Sequence, residues 1–282
     1  MCVKYYAVSV EKSSINEETK IVVKNEITKE EFENLFRVAN FLKDIMPAKE
    51  AHRIVIRNGR ELLYFLSDKN LKDQLLIKKC NKRNFITDAN RLTFNFCASM
   101  RTFVDYAKTA VKRKGEEKDF KNIISQIFDE SLEYRFFEKL RNYIIHYSYP
   151  FIGIEMSAPD FVKIVCRKEY LQEYDGWGAI VKKDLLSMPE EIDVRQYIEP
   201  LLVRLETIHM MMYYYYAQDY CTASTAFASF QKKYHLKEPA TMCIEGDLEG
   251  KKTIHPLSLE AIAEGLEQLK HNPYVNLVCT DK

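Results

Sequence analysis

The sequence predicts a mainly α fold: a helical bundle with small β-hairpin additions on its N-terminal and C-terminal sides. Three observations carry this. Gly and Pro are scarce, at 8 each in 282 residues, which favours long regular elements. Apolar residues recur at helical spacing over 29–46, 88–113 and 194–234. Short apolar runs bounded by turn residues occur near both ends of the chain.

In chain order, 3–10 and 20–25 read as short strands around a polar turn. Thr28 is placed to cap a helix, and Glu31 three residues on completes a capping box. Phe32, Leu35, Phe36, Ala39, Leu42 and Met46 give the stripe of a helix over 29–46, and Pro47 is expected to end it. His52 to Arg57 and Arg60 to Leu66 flank Asn58-Gly59, which suits the tight turn of a hairpin. A long helix is expected over 88–113, ended by Gly115, and a shorter one over 117–127. Asp129 is expected to cap the helix that follows. A hairpin insertion is expected near 152–166, around 157–160. Trp177, between Gly176 and Gly178, reads as a turn. Within 194–234, Met210 to Tyr216 is apolar on nearly every face and belongs in a core or interface. A short β pair (241–244 with 252–255) and a last helix over 258–269 complete the chain. These elements group as a small α+β lobe at 1–70, a helical core at 71–235 and a C-terminal extension at 236–282.

With 46% apolar and 29% charged residues, the composition is that of a globular protein. The 42 basic and 41 acidic side chains leave a net charge of +1, so no overall field attracts a polyanion, and any nucleic-acid contact must come from local clusters. Two exist: Lys78, Lys79, Lys82 and Arg83, and then Lys112, Arg113 and Lys114. Each is either a phosphate contact or a solvated helix face. The seven cysteines form no CxxC pair and no Cys/His zinc spacing, so buried free thiols in a reducing, cytoplasmic setting are expected. Neither a signal-type start nor a run of about 18 apolar residues is found, and no membrane partner is expected. Without an HExxH, a Gly-rich phosphate loop or clustered metal-spaced ligands, no metal and no cofactor are expected.

The chemically densest stretch is Arg141-Asn142-Tyr143-Ile144-Ile145-His146. At about 100° per residue, Leu132, Phe136, Leu140, Tyr143 and Tyr147 form one apolar stripe. Phe137, Ile144 and Ile145 form a second apolar side, with Arg141 among them. Two readings of Arg141 stand side by side. In one it pairs with Glu138, and His146 is an ordinary half-buried histidine. In the other, Arg141 binds a phosphate as a two-pronged cation while His146 moves a proton near neutral pH. RNA carries its own nucleophile, the 2′-hydroxyl, so an arginine and a histidine can cleave it without a metal. Five positions separate the two side chains by about 140° and roughly 7.5 Å, so two copies of the helix facing each other would assemble a site more easily than one.

These residues resemble the motif of the HEPN superfamily, an Arg, usually followed by a polar residue, with a His after four to six positions. Here that is Arg141, Asn142 and His146. The resemblance covers roughly 85–150, with 194–234 as a candidate to complete the bundle. It implies a metal-independent endoribonuclease with catalytic Arg141 and His146, and Asn142 beside them, acting on an RNA substrate in a homodimer with facing motifs. It also implies a toxin or antiviral-defence effector with an inhibitory or antitoxin partner. Where some relatives carry a modified Tyr two residues after the His, this chain has Ser148. A non-catalytic helical module that binds a protein or nucleotide partner is the other class the same features allow.

Overall fold

Helices form wherever the apolar spacing is helical, and one expected hairpin becomes a helix as well. The computed structural model describes residues 3–12, 19–157, 161–236, 241–246 and 252–277. The elements are β1 (Lys4–Lys12), β2 (Thr19–Ile27), α1 (Lys29–Ala39), α2 (Leu42–Phe65), α3 (Asp68–Lys72), α4 (Lys82–Lys114), α5 (Glu117–Glu130) and α6 (Leu132–His146). They continue with β3 (Gly153–Ser157), β4 (Phe161–Val165), α7 (Lys168–Gln172), α8 (Ala179–Ser187), α9 (Arg195–Tyr234), β5 (Thr241–Gly246), β6 (Lys252–Pro256) and α10 (Leu259–Lys270). The described residues are mainly helical, with two small antiparallel sheets.

The chain divides into two compact units, Met46–Met212 and a second made of Met1–Ile45 with Tyr213–Lys282. The second unit holds a four-stranded sheet in the order β2-β1-β5-β6. The lobe and the extension expected at opposite ends of the chain therefore share one sheet, with β1 paired to β5 over Lys4–Ser9. Thr28 and Glu31 do form the capping box of α1: the Glu31 amide donates to Thr28 Oγ1 at 3.1 Å, and the Thr28 amide donates to Glu31 Oε2 at 3.0 Å. Tyr213, Tyr216 and Tyr220 are buried, with Tyr213 and Tyr220 stacked at 5.6 Å. Tyr214 faces outward, so the tyrosine run is a core on one side only.

In the unit of Met46–Met212, α4 is the central rod. Phe96, Phe103, Ala107 and Val111 lie on its buried side, and Gly115 ends it in the left-handed region at φ +90°. Helix α6 runs antiparallel to it. Glu138 meets Arg101, Arg141 lies in the field of Cys97, and Phe151 beyond the helix meets Asn90. Later residues of the α6 segment thus meet earlier residues of α4. Asn90 holds the segment after α6 by a reciprocal pair: its amide group donates to the Phe151 carbonyl at 2.9 Å and accepts from the Phe151 amide at 3.1 Å. Trp177, in a short 3₁₀ turn, is fully buried and stacks on Tyr143 and Phe136 of α6.

Four local expectations are corrected. The hairpin around Asn58-Gly59 does not form; both residues lie inside α2. Asn58 instead donates to Ser99 Oγ of α4 at 3.0 Å. A Cβ on Gly59 would meet Leu202 Cδ2 of α9 at 2.7 Å and Phe96 Cε2 at 2.8 Å, so the glycine serves close helix packing and not a turn. Pro47 does not end a helix; it sits in the second turn of α2, where it removes a single hydrogen bond, and the break falls at residues 40–41. Asp129 belongs to α5, and Ser131 caps α6 by accepting from the Tyr134 amide at 3.1 Å. Glu138 pairs with Arg101 Nη1 at 3.5 Å and not with Arg141.

Candidate functional site

Two arginines on α6 have opposite surroundings. Arg135 is buried, and its guanidinium donates to both oxygens of Asp184 on α8, at 2.8 and 3.1 Å, and to the Phe128 carbonyl at 2.8 Å. That is a structural ion pair with its hydrogen-bonding capacity largely satisfied. Arg141 is half-buried, and its one recorded partner is Asn142 Oδ1 at 3.4 Å. Among the described residues no carboxylate pairs with it. It faces α4 near Cys97, whose thiol is pushed above the usual range by burial, against the opposing pull of Arg141. The two apolar sides expected for α6 are both partly realised. Phe136, Leu140 and Tyr143 are buried on one, and Phe137 on the other, 5.2 Å from Phe96. Ile145 remains exposed.

His146 is exposed at the last position of α6. Asn142 is half-buried one turn earlier on the same face. The end of the helix is braced from behind. Tyr147 Oη donates to Glu173 at 2.9 Å, and Tyr143, Tyr147, Tyr174 and Trp177 form a ring cluster with centroids 5.5–6.0 Å apart. Close to His146 in the chain, Ile145, Tyr149 and Ile152 expose much of their surface.

The basic clusters lie apart from each other. Lys82 and Arg83 open α4, and Lys112, Arg113 and Lys114 close it, so they are separated by about 45 Å at 1.5 Å per residue. Asn90 lies level with the segment after His146, so Lys82 and Arg83 are at the motif's end of the helix. Lys78 and Lys79 precede them, exposed, with Lys78 bound to Asp73 at 2.9 Å. The triplet Lys112–Lys114 lies in the last turn, where basic side chains suit the helix dipole.

A second constellation went unread in the sequence. His52 of α2 and Glu206 and His209 of α9 bring one ligand atom each within 4.8 Å of one another. The imidazoles are buried and stack face to face, with centroids 3.7 Å apart and planes 9° from parallel. Glu206 Oε2 lies 3.1 Å from His52 Nε2, and Oε1 lies 3.6 Å from His209 Nδ1. Burial pulls His209 down to about 4, leaving its ring neutral, while the two histidines hold Glu206 well below the usual carboxylate range. The available signal was Glu206-x-x-His209, a spacing that puts both side chains on one helix face. Its partner His52 was hidden by the expected hairpin.

Compared with known proteins, the chain matches no family model, no curated protein and no solved structure. Cys97 and Cys166 are buried free thiols, and no helix among the described residues is long and apolar enough to cross a membrane.

Proposed function

We propose that the chain is a metal-independent endoribonuclease of HEPN type, acting as a homodimer with Arg141 and His146 at a shared cleft. One observation carries the reading: Arg141 is half-buried with no carboxylate partner among the described residues, on the same helix where Arg135 is fully paired. A guanidinium held near a core without a counter-ion is costly unless it reaches solvent or meets an anion, and the phosphodiester of RNA supplies one. His146 is exposed, as are its chain neighbours Ile145, Tyr149 and Ile152, which leaves it accessible both to substrate and to a second copy.

In this reading His146 takes the proton of the 2′-hydroxyl as that oxygen attacks phosphorus. Arg141 neutralises the charge that builds on the phosphoryl oxygens. The P–O5′ bond breaks, and the histidine of the second copy protonates the departing oxygen. The products are a 2′,3′-cyclic phosphate and a 5′-hydroxyl. Asn142 accepts from Arg141 and so fixes its orientation. Lys82 and Arg83 extend the phosphate path at the same end of α4. A toxin or antiviral-defence setting, with a restraining partner, accompanies the family resemblance.

The test is cleavage of RNA by the purified chain in EDTA, with the product ends identified. Wild type is expected to leave cyclic phosphates, and Arg141→Ala and His146→Ala are expected to lose at least a hundredfold in rate, as removal of a proton-transfer group does. Unchanged cleavage by both variants would overturn the assignment. No cleavage by wild type on any RNA would favour the non-catalytic binding module.

A further inference from the structure

The His52–Glu206–His209 cluster takes no part in the proposed RNA chemistry, and its three potential ligand atoms lie close together in a buried place. In a tetrahedral zinc site with bonds of 2.0–2.1 Å, neighbouring ligand atoms lie about 3.3–3.4 Å apart. Here His52 Nε2 lies 3.1 Å from one Glu206 oxygen and His209 Nδ1 lies 3.6 Å from the other, and one ligand atom from each of the three residues lies within 4.8 Å of the others, close enough for small side-chain movements to converge them on one ion. A hydrogen-bonded array would also have short distances, but the direction of the ring argues otherwise. His52 Nε2 is buried and 3.1 Å from the carboxylate oxygen, yet it is not aligned for a good hydrogen bond to it. An N–H aimed along that line would make one at this distance.

We propose that His52, Glu206 and His209 bind one divalent transition-metal ion of the zinc class, which clamps α2 to α9 within the unit of Met46–Met212. The donor set is two imidazoles and a carboxylate, with water as a fourth ligand. Both rings are buried, while the Glu206 side chain is 42% exposed, so it marks the side from which ion and water enter. Phe103 packs against both rings, at 5.1 and 6.3 Å, and supplies the apolar wall that fixes them.

Lys49, buried one turn before His52, faces the same group and opposes a dication. Affinity must then come from the imidazole nitrogens, which select zinc, nickel or copper over magnesium or calcium. Ligation by both rings also widens their stack, because two imidazoles at a tetrahedral angle hold their centroids about 5 Å apart. The site is enclosed by helices and serves structure, so it stands independently of the ribonuclease reading.

The experiment uses the full, untagged chain, stripped with EDTA and dialysed against zinc chloride. Metal content is measured by mass spectrometry, and thermal unfolding is followed with zinc, with magnesium and with neither. One zinc per chain is expected. At free zinc about 100 times Kd the folding equilibrium should shift about a hundredfold towards the native state, with no shift in magnesium. Cobalt in place of zinc should give the intense visible bands of a tetrahedral centre. The His52→Gln/His209→Gln double variant, which keeps polar side chains of similar reach, should lose the bound metal. His255→Gln, at the half-buried His255–Glu245 pair in the other unit, should keep it. Absence of retained zinc and of any thermal shift in wild type would overturn the proposal even if the double variant fails to fold. Equal zinc in wild type and a folded double variant would overturn it too.

Discussion

Arg135 and Arg141 stand fewer than two turns apart on α6, and replacing each with alanine separates structure from function. Arg135→Ala strips a buried carboxylate of its partner: Asp184 loses two hydrogen bonds at 2.8 and 3.1 Å and has a side chain only 15% exposed. Removing one member of such a pair costs about 3–5 kcal/mol. The Phe128 carbonyl also loses its donor, which places the expected loss at the upper end, about 4–5 kcal/mol. Arg141→Ala removes a 3.4 Å contact to Asn142 and no ion pair, so the expected loss is about 0–1 kcal/mol. Trp177 is the sole tryptophan, fully buried and stacked on Phe136 and Tyr143 of the same helix. Its fluorescence during urea unfolding at pH 7 therefore reports the unit that holds both arginines. A midpoint shift in Arg141→Ala as large as that in Arg135→Ala would refute the reasoning, because Arg141 would then be a structural cation. A small shift in Arg141→Ala with lost RNA cleavage is the expected pattern.

Asn90→Ala should destabilise by about 2–3 kcal/mol in the same assay, since it leaves both the buried amide and carbonyl of Phe151 without their partner; a loss under 1 kcal/mol would contradict the pinning role. Gly59→Val should cost about 3 kcal/mol in urea midpoint, because its Cβ alone already meets Phe96 and Leu202 below 3 Å; neutrality would show that this packing is not as described. Glu31 gives a pH dependence in the other unit. Burial raises its carboxyl, but hydrogen bonds from Lys233, the Thr28 amide and Tyr234 outweigh that and hold it at about 2. A depressed carboxylate contributes stability above its unfolded value of about 4.3 that fades as pH falls towards 2. Wild type should therefore exceed Glu31→Gln in thermal stability at pH 6, and the gap should shrink to a minor part of that by pH 2.5; a gap that does not narrow would show another cause.

Much of the fold was legible because it depends on local chemistry. The Thr28 and Glu31 capping box, the Gly115 stop of α4, the strands at both ends and the hairpin of β3 and β4 follow from side chains that meet within a few residues. The Asn58-Gly59 hairpin failed because its signal was also local, while the forces on it are not. Asn58 answers to Ser99 on α4, and Gly59 makes room for Leu202 and Phe96. At the site, the sequence marked Arg141 and His146 as unusual residues on a helix with two apolar sides. It could not say which arginine of α6 was paired, because Asp184 is remote in sequence and Glu138 was taken by Arg101.

By itself, then, the sequence determined the helical class, several helix ends and the Arg141–His146 motif, all set by spacing along one chain segment. Tertiary structure decided what lies next to what. It joined strands from the two ends of the chain in one sheet, left Arg141 without a carboxylate among the described residues, and stacked His52 on His209 over Glu206. The physical reason is common to all three. Pairing, burial and ligation depend on distances of a few ångströms between segments far apart in sequence, and periodicity carries no record of which segments will meet.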